Sequence, residues 1–274
     1  MLPVKKLYID SKARTADSRS TSNFSLDLTE SLTMPEGAVF QVCDVLIPHS
    51  WYLIDDSNRN LYFFELDGLV GNGFFTIALN IGNYLGPDLA GEIGRALHAQ
   101  ATKFFSYNVS YDDSTRKIHI SASTQSNFGI HSWKILTDEE AVDIPAFGIT
   151  KANSLNKFLG ITTIMNTFVP GSDEGFFSNH LQFDPIKYLF IKSANLGTFN
   201  TMGSFGERTI IKKVPVTAGK GEMIYDDTRS GNDMLSCEKQ TLKRLEFQVT
   251  DELGNTMDLQ GHDISFSLIF SIMP

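Results

Sequence analysis

Serine alternates with large apolar residues near the end of the chain. From Ile264 to Ile272 every even position is apolar, and serine occupies three of the four odd positions. Side chains alternate between the two faces of a strand, so this pattern predicts a half-buried β-strand with one apolar and one hydroxyl-rich face. A long strand that stands last needs a neighbouring strand to hold it. The fold is therefore predicted to be built on a sheet.

Similar patterns predict strands along most of the chain. Short alternating or apolar runs bounded by glycine, proline or acidic turns occur at 4–9, 24–28, 38–47, 61–66, 74–79, 105–111, 117–121, 186–192, 208–216 and 245–249. The runs do not alternate regularly with helices, which favours an antiparallel sandwich or barrel. The 21 phenylalanines suit the space between two packed sheets.

One amphipathic helix is predicted near residues 87–101. Leu89, Ile93 and Leu97 recur at four-residue intervals and form an apolar stripe that we expect to lie on a sheet. Pro87 occupies a first-turn position, where a proline is well tolerated. A shorter, capped helical turn is predicted at 137–142.

The beginning of the chain is predicted to be a basic arm over residues 1–22. Residues 10–22 contain no apolar side chain larger than alanine and cannot bury surface to offset the cost of ordering. The first 20 residues have five basic and two acidic side chains, a net of +3 in a chain of net −9. Such an arm is either a solvated tail or a contact to nucleic acid or an acidic neighbour. The candidate contact residues are Lys5, Lys6, Lys12, Arg14 and Arg19.

Charge and cysteine content narrow the class of protein. A net charge of −9 argues against a general nucleic-acid binder. Cys43 and Cys237 give no disulfide framework, so synthesis in a reducing compartment is expected. We expect Cys43 to pack as a small hydrophobic residue. No run approaches the roughly 18 apolar residues of a membrane span, and the first residues lack the apolar core of a signal peptide.

The sequence contains no strong catalytic or metal-binding motif. The six histidines lack metal-ligand spacing. The acidic pairs fall in predicted loops, where solvated acids are more common than a glycosidase pair; they are at 55–56, 112–113, 173–174 and 226–227. Trp51 and Trp133 could stack on a sugar, but isolated tryptophans are more often core or interface residues. No cofactor or metal site is predicted.

The order of several segments resembles a known family. These segments are residues 8–14 (YIDSKAR), 23–28 (NFSLDL), 47–52 (IPHSWY), 60–63 (NLYF), 82–84 (GNY), 158–161 (FLGI), 188–193 (YLFIKS) and 259–267 (LQGHDISFS). In this order they resemble the penton, or minor capsid, proteins of double-stranded DNA viruses of the adenovirus-like lineage. Virophages, polinton-like viruses and some giant-virus relatives carry such proteins. Residues 219–240 match nothing in this pattern.

The resemblance implies a structural role in a virion and no enzymatic activity. It implies a mainly all-β fold with a single jelly-roll antiparallel sandwich, five copies of which close an icosahedral vertex. The arm would contact the major capsid protein and other minor capsid proteins, with incidental contact to nucleic acid. Our domain prediction is the arm at 1–22 and one jelly-roll domain at 23–274, with insertions or loops near 123–183 and 219–240.

Three alternatives remain at the level of the sequence. The first is a glycan- or receptor-binding spike that uses Trp51 or Trp133. The second is a minor capsid component that lies off the fivefold axis. The third is a hydrolase on the same fold, which would need two carboxylates within about 10 Å of each other in one cleft. If residues 1–20 are an arm, their deletion should leave a folded domain that enters particles poorly.

Overall fold

The computed structural model describes residues 5–67, 71–100, 105–124, 131–164, 167–170, 175–196, 201–203, 206, 208–229 and 233–272. These residues form two compact units. Unit 1 combines the described parts of residues 1–51 and 185–274, and unit 2 is the described part of residues 52–184.

The elements are mostly short strands. In chain order the described strands are β1 (Lys5–Asp10), β2 (Asn23–Thr33), β3 (Ala38–Pro48), β4 (Asn60–Asp67), β5 (Gly71–Ala78), β6 (Phe105–Asp112), β7 (Lys117–Thr124), β8 (His131–Ile135), β9 (Phe176–Phe177), β10 (Tyr188–Lys192), β11 (Ile210–Pro215), β12 (Met223–Asp226), β13 (Leu235–Ser236), β14 (Thr241–Thr250) and β15 (Ser265–Ile272). The described α-helices are α1 (Gly86–Gln100), α2 (Asp138–Asp143) and α3 (Asn156–Leu159). Short 3-10 helices occur at Ser11–Ala13 and Pro145–Phe147.

Unit 1 is a jelly roll built from two antiparallel sheets. Sheet 1 has the order β1-β15-β3-β12, with β13 also paired to β3. Sheet 2 has the order β11-β10-β14-β2. Successive strands repeatedly cross from one sheet to the other, which is the connectivity of a jelly roll. The predicted class, a mainly β antiparallel jelly-roll sandwich, is therefore confirmed.

Strand β15 buries one face, as its alternating pattern predicts. Phe266, Leu268 and Phe270 are buried in the core between the sheets, whereas the serines lie on the other face. Phe266 meets Phe247 of sheet 2 edge to face, with ring centroids 5.0 Å apart. Aromatic side chains thus fill the space between the sheets and join the two layers.

A bulge in β3 explains why its apolar run is nearly continuous. Ser267 lies opposite Cys43, but Ser265 lies opposite Leu46, so β3 has one extra residue in this stretch. Asp44 sits at the bulge with a φ of +52°. Because of the extra residue, both Val42 and Val45 face the core, and the carboxylate of Asp44 points to the outer face.

The structure corrects the expectation of an arm for residues 5–22. Strand β1 pairs with β15 along its whole length, and Ile9 is buried in the core. Beyond β1, the Oγ of Ser11 donates to Asp263 at 2.8 Å, and the N–H of Thr15 donates to the carbonyl of Ser25 at 2.9 Å. This segment is held by hydrogen bonds rather than by apolar burial, which is why its composition suggested disorder.

Unit 2 contains two further antiparallel sheets and helix α1. The sheets have the orders β5-β4-β8 and β6-β7-β9. Helix α1 packs against β6 and buries Leu89, Ile93 and Leu97, as the four-residue spacing predicts. The predicted turn at 137–142 is α2, which begins with a capping box between Thr137 and Glu140. Across the described part of the chain, no helix combines the length and hydrophobicity that a bilayer crossing requires.

The domain boundaries also differ from the prediction of one domain over 23–274. The segment between β3 and β10 has its own sheets and its own apolar core, so it forms a second unit that begins long before the insertions or loops predicted near 123–183. Residues 219–240 include β12 and β13, which both pair with β3. These strands escaped prediction because they are only four and two residues long, too short for a periodic pattern.

Candidate assembly surfaces

The five predicted contact residues lie on the folded jelly roll of unit 1. Lys5 and Lys6 belong to the edge strand β1, and Lys12 lies in the 3-10 helix that follows it. Arg14 and Arg19 are in the segment between that turn and β2, where the N–H of Arg19 donates to the carbonyl of Asn23 at 3.1 Å. All five are exposed, and they are fixed to the sandwich by the backbone around them.

Asp44 lies between two cations on the outer face of sheet 1. Its Oδ2 is 2.6 Å from the Nζ of Lys6, and its Oδ1 is 3.0 Å from the Nη2 of Arg229. The hydrogen bond from Lys6 is the main cause that lowers the pKa of Asp44 to about 2. The same contact raises the pKa of Lys6. The bulge carboxylate therefore joins β1 to the segment that follows β12.

Just beyond the end of β1, Arg14 binds a second carboxylate, that of Asp263. Its Nη1 lies 3.2 Å from Oδ1 of Asp263, which also accepts from the hydroxyl of Ser11. The N–H of Ser11 donates to the carbonyl of Ile264 at 3.0 Å. These bonds extend the pairing of β1 and β15 into the 3-10 helix.

The two edges of sheet 1 carry exposed apolar side chains. On β1, Tyr8 is 74% exposed, and the ammonium of Lys6 lies 4.9 Å from its ring centroid. On β12, Met223 and Tyr225 are 52% and 55% exposed. Exposed tyrosine and methionine are typical of protein–protein contacts.

One of the predicted loop acids is buried. Asp226 and Lys212 are both buried, with Oδ2 and Nζ 3.5 Å apart. The Nζ also donates to the carbonyl of Thr228 at 2.7 Å. Asp227, Asp55 and Asp112 are exposed, as expected of solvated acids. The pair at 173–174 lies outside the described residues.

Neither tryptophan offers an exposed ring for a sugar. Trp51 is buried in the core of unit 1, where it stacks on His49 with centroids 4.2 Å apart. Trp133 is fully buried in unit 2. The interpretation of both as core residues is confirmed.

The cysteines and the potential metal ligands form no reactive cluster in the described parts of the chain. There, no group of three or more histidine, cysteine, aspartate or glutamate side chains could hold a metal ion. Cys43 and Cys237 are free and buried, and burial raises the pKa of Cys237 to about 11. Both thiols are thereby kept protonated and inert near neutral pH.

Sequence reasoning missed a buried carboxyl in unit 2. Glu65 is 1% exposed, and its Oε1 accepts a hydrogen bond from the hydroxyl of Tyr107 at 2.7 Å. Burial, and secondly the neighbouring carboxylate, raise the pKa of Tyr107. The burial of Glu65 was not predicted, because a single acid within an apolar strand pattern predicts an outward-facing side chain. The signal available was that Glu65 shares the face of Leu61 and Phe63.

Comparison with known proteins identifies the fold. No protein-family model matches the chain, and no curated relative matches it. Among solved structures, the selenomethionine-labelled mavirus penton protein matches with a TM-score of 0.53 at 12% identity. The match covers 99% of this chain and 100% of the mavirus chain. At this identity the likeness is one of fold, and it extends over both units.

Proposed function

We propose that this chain is a penton-like structural protein of a viral capsid. In this proposal it forms homopentamers at icosahedral fivefold vertices of a double-stranded DNA virus and resides in the virion. It contacts the major capsid protein and other minor capsid proteins and performs no catalysis.

The observation that carries the proposal is the extent of the likeness to the mavirus penton protein. A jelly roll alone occurs in many unrelated proteins, so it would say little about function. Here the alignment spans 99% of this chain and all of the other, including unit 2 between β3 and β10. A shared insertion of this kind supports a shared role more strongly than a shared sandwich.

The chemistry of the surface agrees with an assembly role. Tyr8, Met223 and Tyr225 present apolar surface on the edges of sheet 1. The alternative of a glycan-binding spike is less well supported, because the two tryptophans expected to stack on a sugar are both buried. The basic residues at 5–19 are proposed to contact neighbouring capsid proteins from a folded edge rather than from a free arm.

Electron microscopy of the purified full-length protein tests the proposal. We expect rings with fivefold symmetry that grow in number with protein concentration. Co-expression with the major capsid protein of the same virus should give shells with this protein at the vertices. A protein that stays monomeric at high concentration and does not join such shells would contradict the proposal. Incorporation at sites other than vertices would favour the off-axis component instead.

A further inference from the structure

We propose that the β1 edge of one copy binds the β12 edge of a second copy of this chain. The proposal rests on the proposed function and names the surfaces that would join neighbouring subunits. In the order of the described strands, β1 has β15 as its one neighbour and β12 has β3. An exposed strand edge can bind the edge of another chain.

The two edges carry opposite charge. Around β1 lie Lys5, Lys6 and Lys12, and the one acid on that strand, Asp10, caps the following turn by accepting from the N–H of Lys12 at 2.9 Å.

Around β12 the exposed charges nearest the strand are the acids Glu222 and Asp227. Asp226 faces the buried ammonium of Lys212, and Arg229 is bound to Asp44. Lys5, Lys6 and Lys12 outnumber Asp10 around β1, and Glu222 and Asp227 outnumber the part-exposed Lys220 around β12, so the exposed charge is positive at the first edge and negative at the second.

Both edges combine exposed apolar side chains with exposed charges. On β1, the exposed ring of Tyr8 lies between Lys6 and Lys12 in the chain. On β12, Met223 and Tyr225 lie between Glu222 and Asp227. On β12 the apolar side chains are thus flanked by acids, whereas on β1 the acid Asp10 lies between Tyr8 and Lys12.

The strand register brings these groups to similar heights on the sheet. Tyr225 lies opposite Leu46, Leu46 opposite Ser265, and Ser265 opposite Asp10. This level is two residues from that of Tyr8. Docking the two edges side by side at these heights would therefore bring the exposed apolar side chains of Tyr8, Met223 and Tyr225 close to one another.

The charges select a second copy joined head to tail. Two β1 edges would bring lysines together, and two β12 edges would bring carboxylates together, so like edges repel. The two edges are separated by three strand spacings, about 14 Å, on opposite sides of one sheet. Each copy can therefore bind two neighbours, and repetition of such a contact closes into a ring when the rotation allows it.

Charge reversal on each edge tests the contact. The first variant is Lys5→Glu with Lys12→Glu, which spares the Lys6–Asp44 ion pair. The second is Glu222→Lys with Asp227→Lys, and the third combines all four changes. Sedimentation equilibrium of the full chain should show self-association weakened about tenfold or more in the first two variants and restored to within about threefold in the third. Added salt should weaken association of the wild type.

Two controls separate this contact from general effects. Asp113→Lys reverses an exposed charge in the turn between β6 and β7 of unit 2 and should leave association unchanged. Tyr225→Ala should weaken association, whereas Leu253→Ala, at a residue of similar exposure in the connection between β14 and β15, should not. Circular dichroism and the unfolding midpoint verify that each variant is folded.

Each outcome has a distinct meaning. If the wild type assembles and the two single-edge variants assemble equally well, the edge contact is refuted while the proposed function stands. If the wild type neither self-associates at high concentration nor joins shells of the major capsid protein, the proposed function fails, and this inference fails with it. If self-association is unchanged but binding to the major capsid protein is lost, the edges serve that partner and the inference is wrong.

Discussion

The ammonium of Lys212 on β11 lies 3.5 Å from the buried carboxylate of Asp226 on β12. Strand β11 belongs to sheet 2 and β12 to sheet 1, so this ion pair joins the two layers at the side of the jelly roll where they are connected by residues 216–222. The Nζ of Lys212 also donates to the carbonyl of Thr228, and the N–H of Thr228 donates to Oδ1 of Asp226.

Removing one member of this pair should destabilise unit 1 strongly. Lys212→Met leaves a buried carboxylate without its cation, and we expect a loss of about 3–5 kcal/mol in the free energy of unfolding. The double variant Lys212→Met with Asp226→Leu should recover most of this loss, because no buried charge remains. Urea unfolding of the two single variants and the double variant measures the coupling. Additive losses would show that the pair does not act as a unit.

The carboxylate of Asp44 should contribute stability that depends on pH. Its pKa is about 2 in the folded chain, below the ordinary aspartate value of 3.8. A lowered pKa means that the contribution is present above about pH 4 and is lost as the pH falls towards 2. Because the site is partly open to solvent, we expect only about 1 kcal/mol.

Asp44→Asn tests this contribution, since asparagine tolerates the positive φ of the bulge but carries no charge. The difference in unfolding free energy between wild type and variant should shrink between pH 5 and pH 3. Asp113→Asn, in an exposed turn, serves as the control. A difference that stays constant over this range would contradict the role of the Lys6 contact.

The alternation in β15 predicts unequal costs on its two faces. Phe266→Ala opens a cavity between the sheets and should cost about 3–5 kcal/mol of stability. Ser271→Ala, on the opposite face of the same strand, should change the stability by less than about 0.5 kcal/mol. Chemical denaturation of both variants provides the comparison, and equal effects would mean that β15 does not separate core from surface.

Strand β1 should behave as part of the fold rather than as a dispensable arm. Ile9 is 2% exposed, whereas its neighbour Tyr8 is 74% exposed. We expect Ile9→Ala to cost about 2–4 kcal/mol and Tyr8→Ala less than about 0.5 kcal/mol. Deletion of residues 1–20 should likewise lower the unfolding midpoint, contrary to what the composition of this segment suggests. A deletion variant as stable as the full chain would restore the interpretation as an arm.

The sequence predicts individual strands and helix α1 better than it predicts how the chain divides into two units. Period-two patterns in β15 and β6 and the four-residue stripe in α1 report burial directly, so these elements were found close to their true bounds. The sequence places insertions or loops near 123–183 and not the whole of unit 2, because a boundary depends on which strands pair at long range, and no local pattern records that. Residues 11–22 were misjudged because backbone hydrogen bonds leave no hydrophobic signature.

For the candidate contact residues, the sequence likewise shows the charge but not the position in the fold. Lys5, Lys6 and Lys12 were found as a cluster of charge, but their place on a sheet edge follows from the pairing of β1 with β15. For the opposite edge, with Glu222 and Asp227, the sequence predicts a loop, because β12 is too short to show a periodic pattern. A surface made of two short strands far apart in sequence becomes visible only in the folded chain.

The placement of unit 2 between β3 and β10 has a consequence for biosynthesis. Phe24 pairs with Phe247, and Leu7 with Leu268, so strands made early must wait for partners made more than 200 residues later. The strands of residues 52–184 pair within that one continuous segment. This segment can therefore acquire structure while the ribosome is still extending the chain. The jelly roll is therefore expected to be the last part to mature, and its apolar early strands are the part that a chaperone would need to shield.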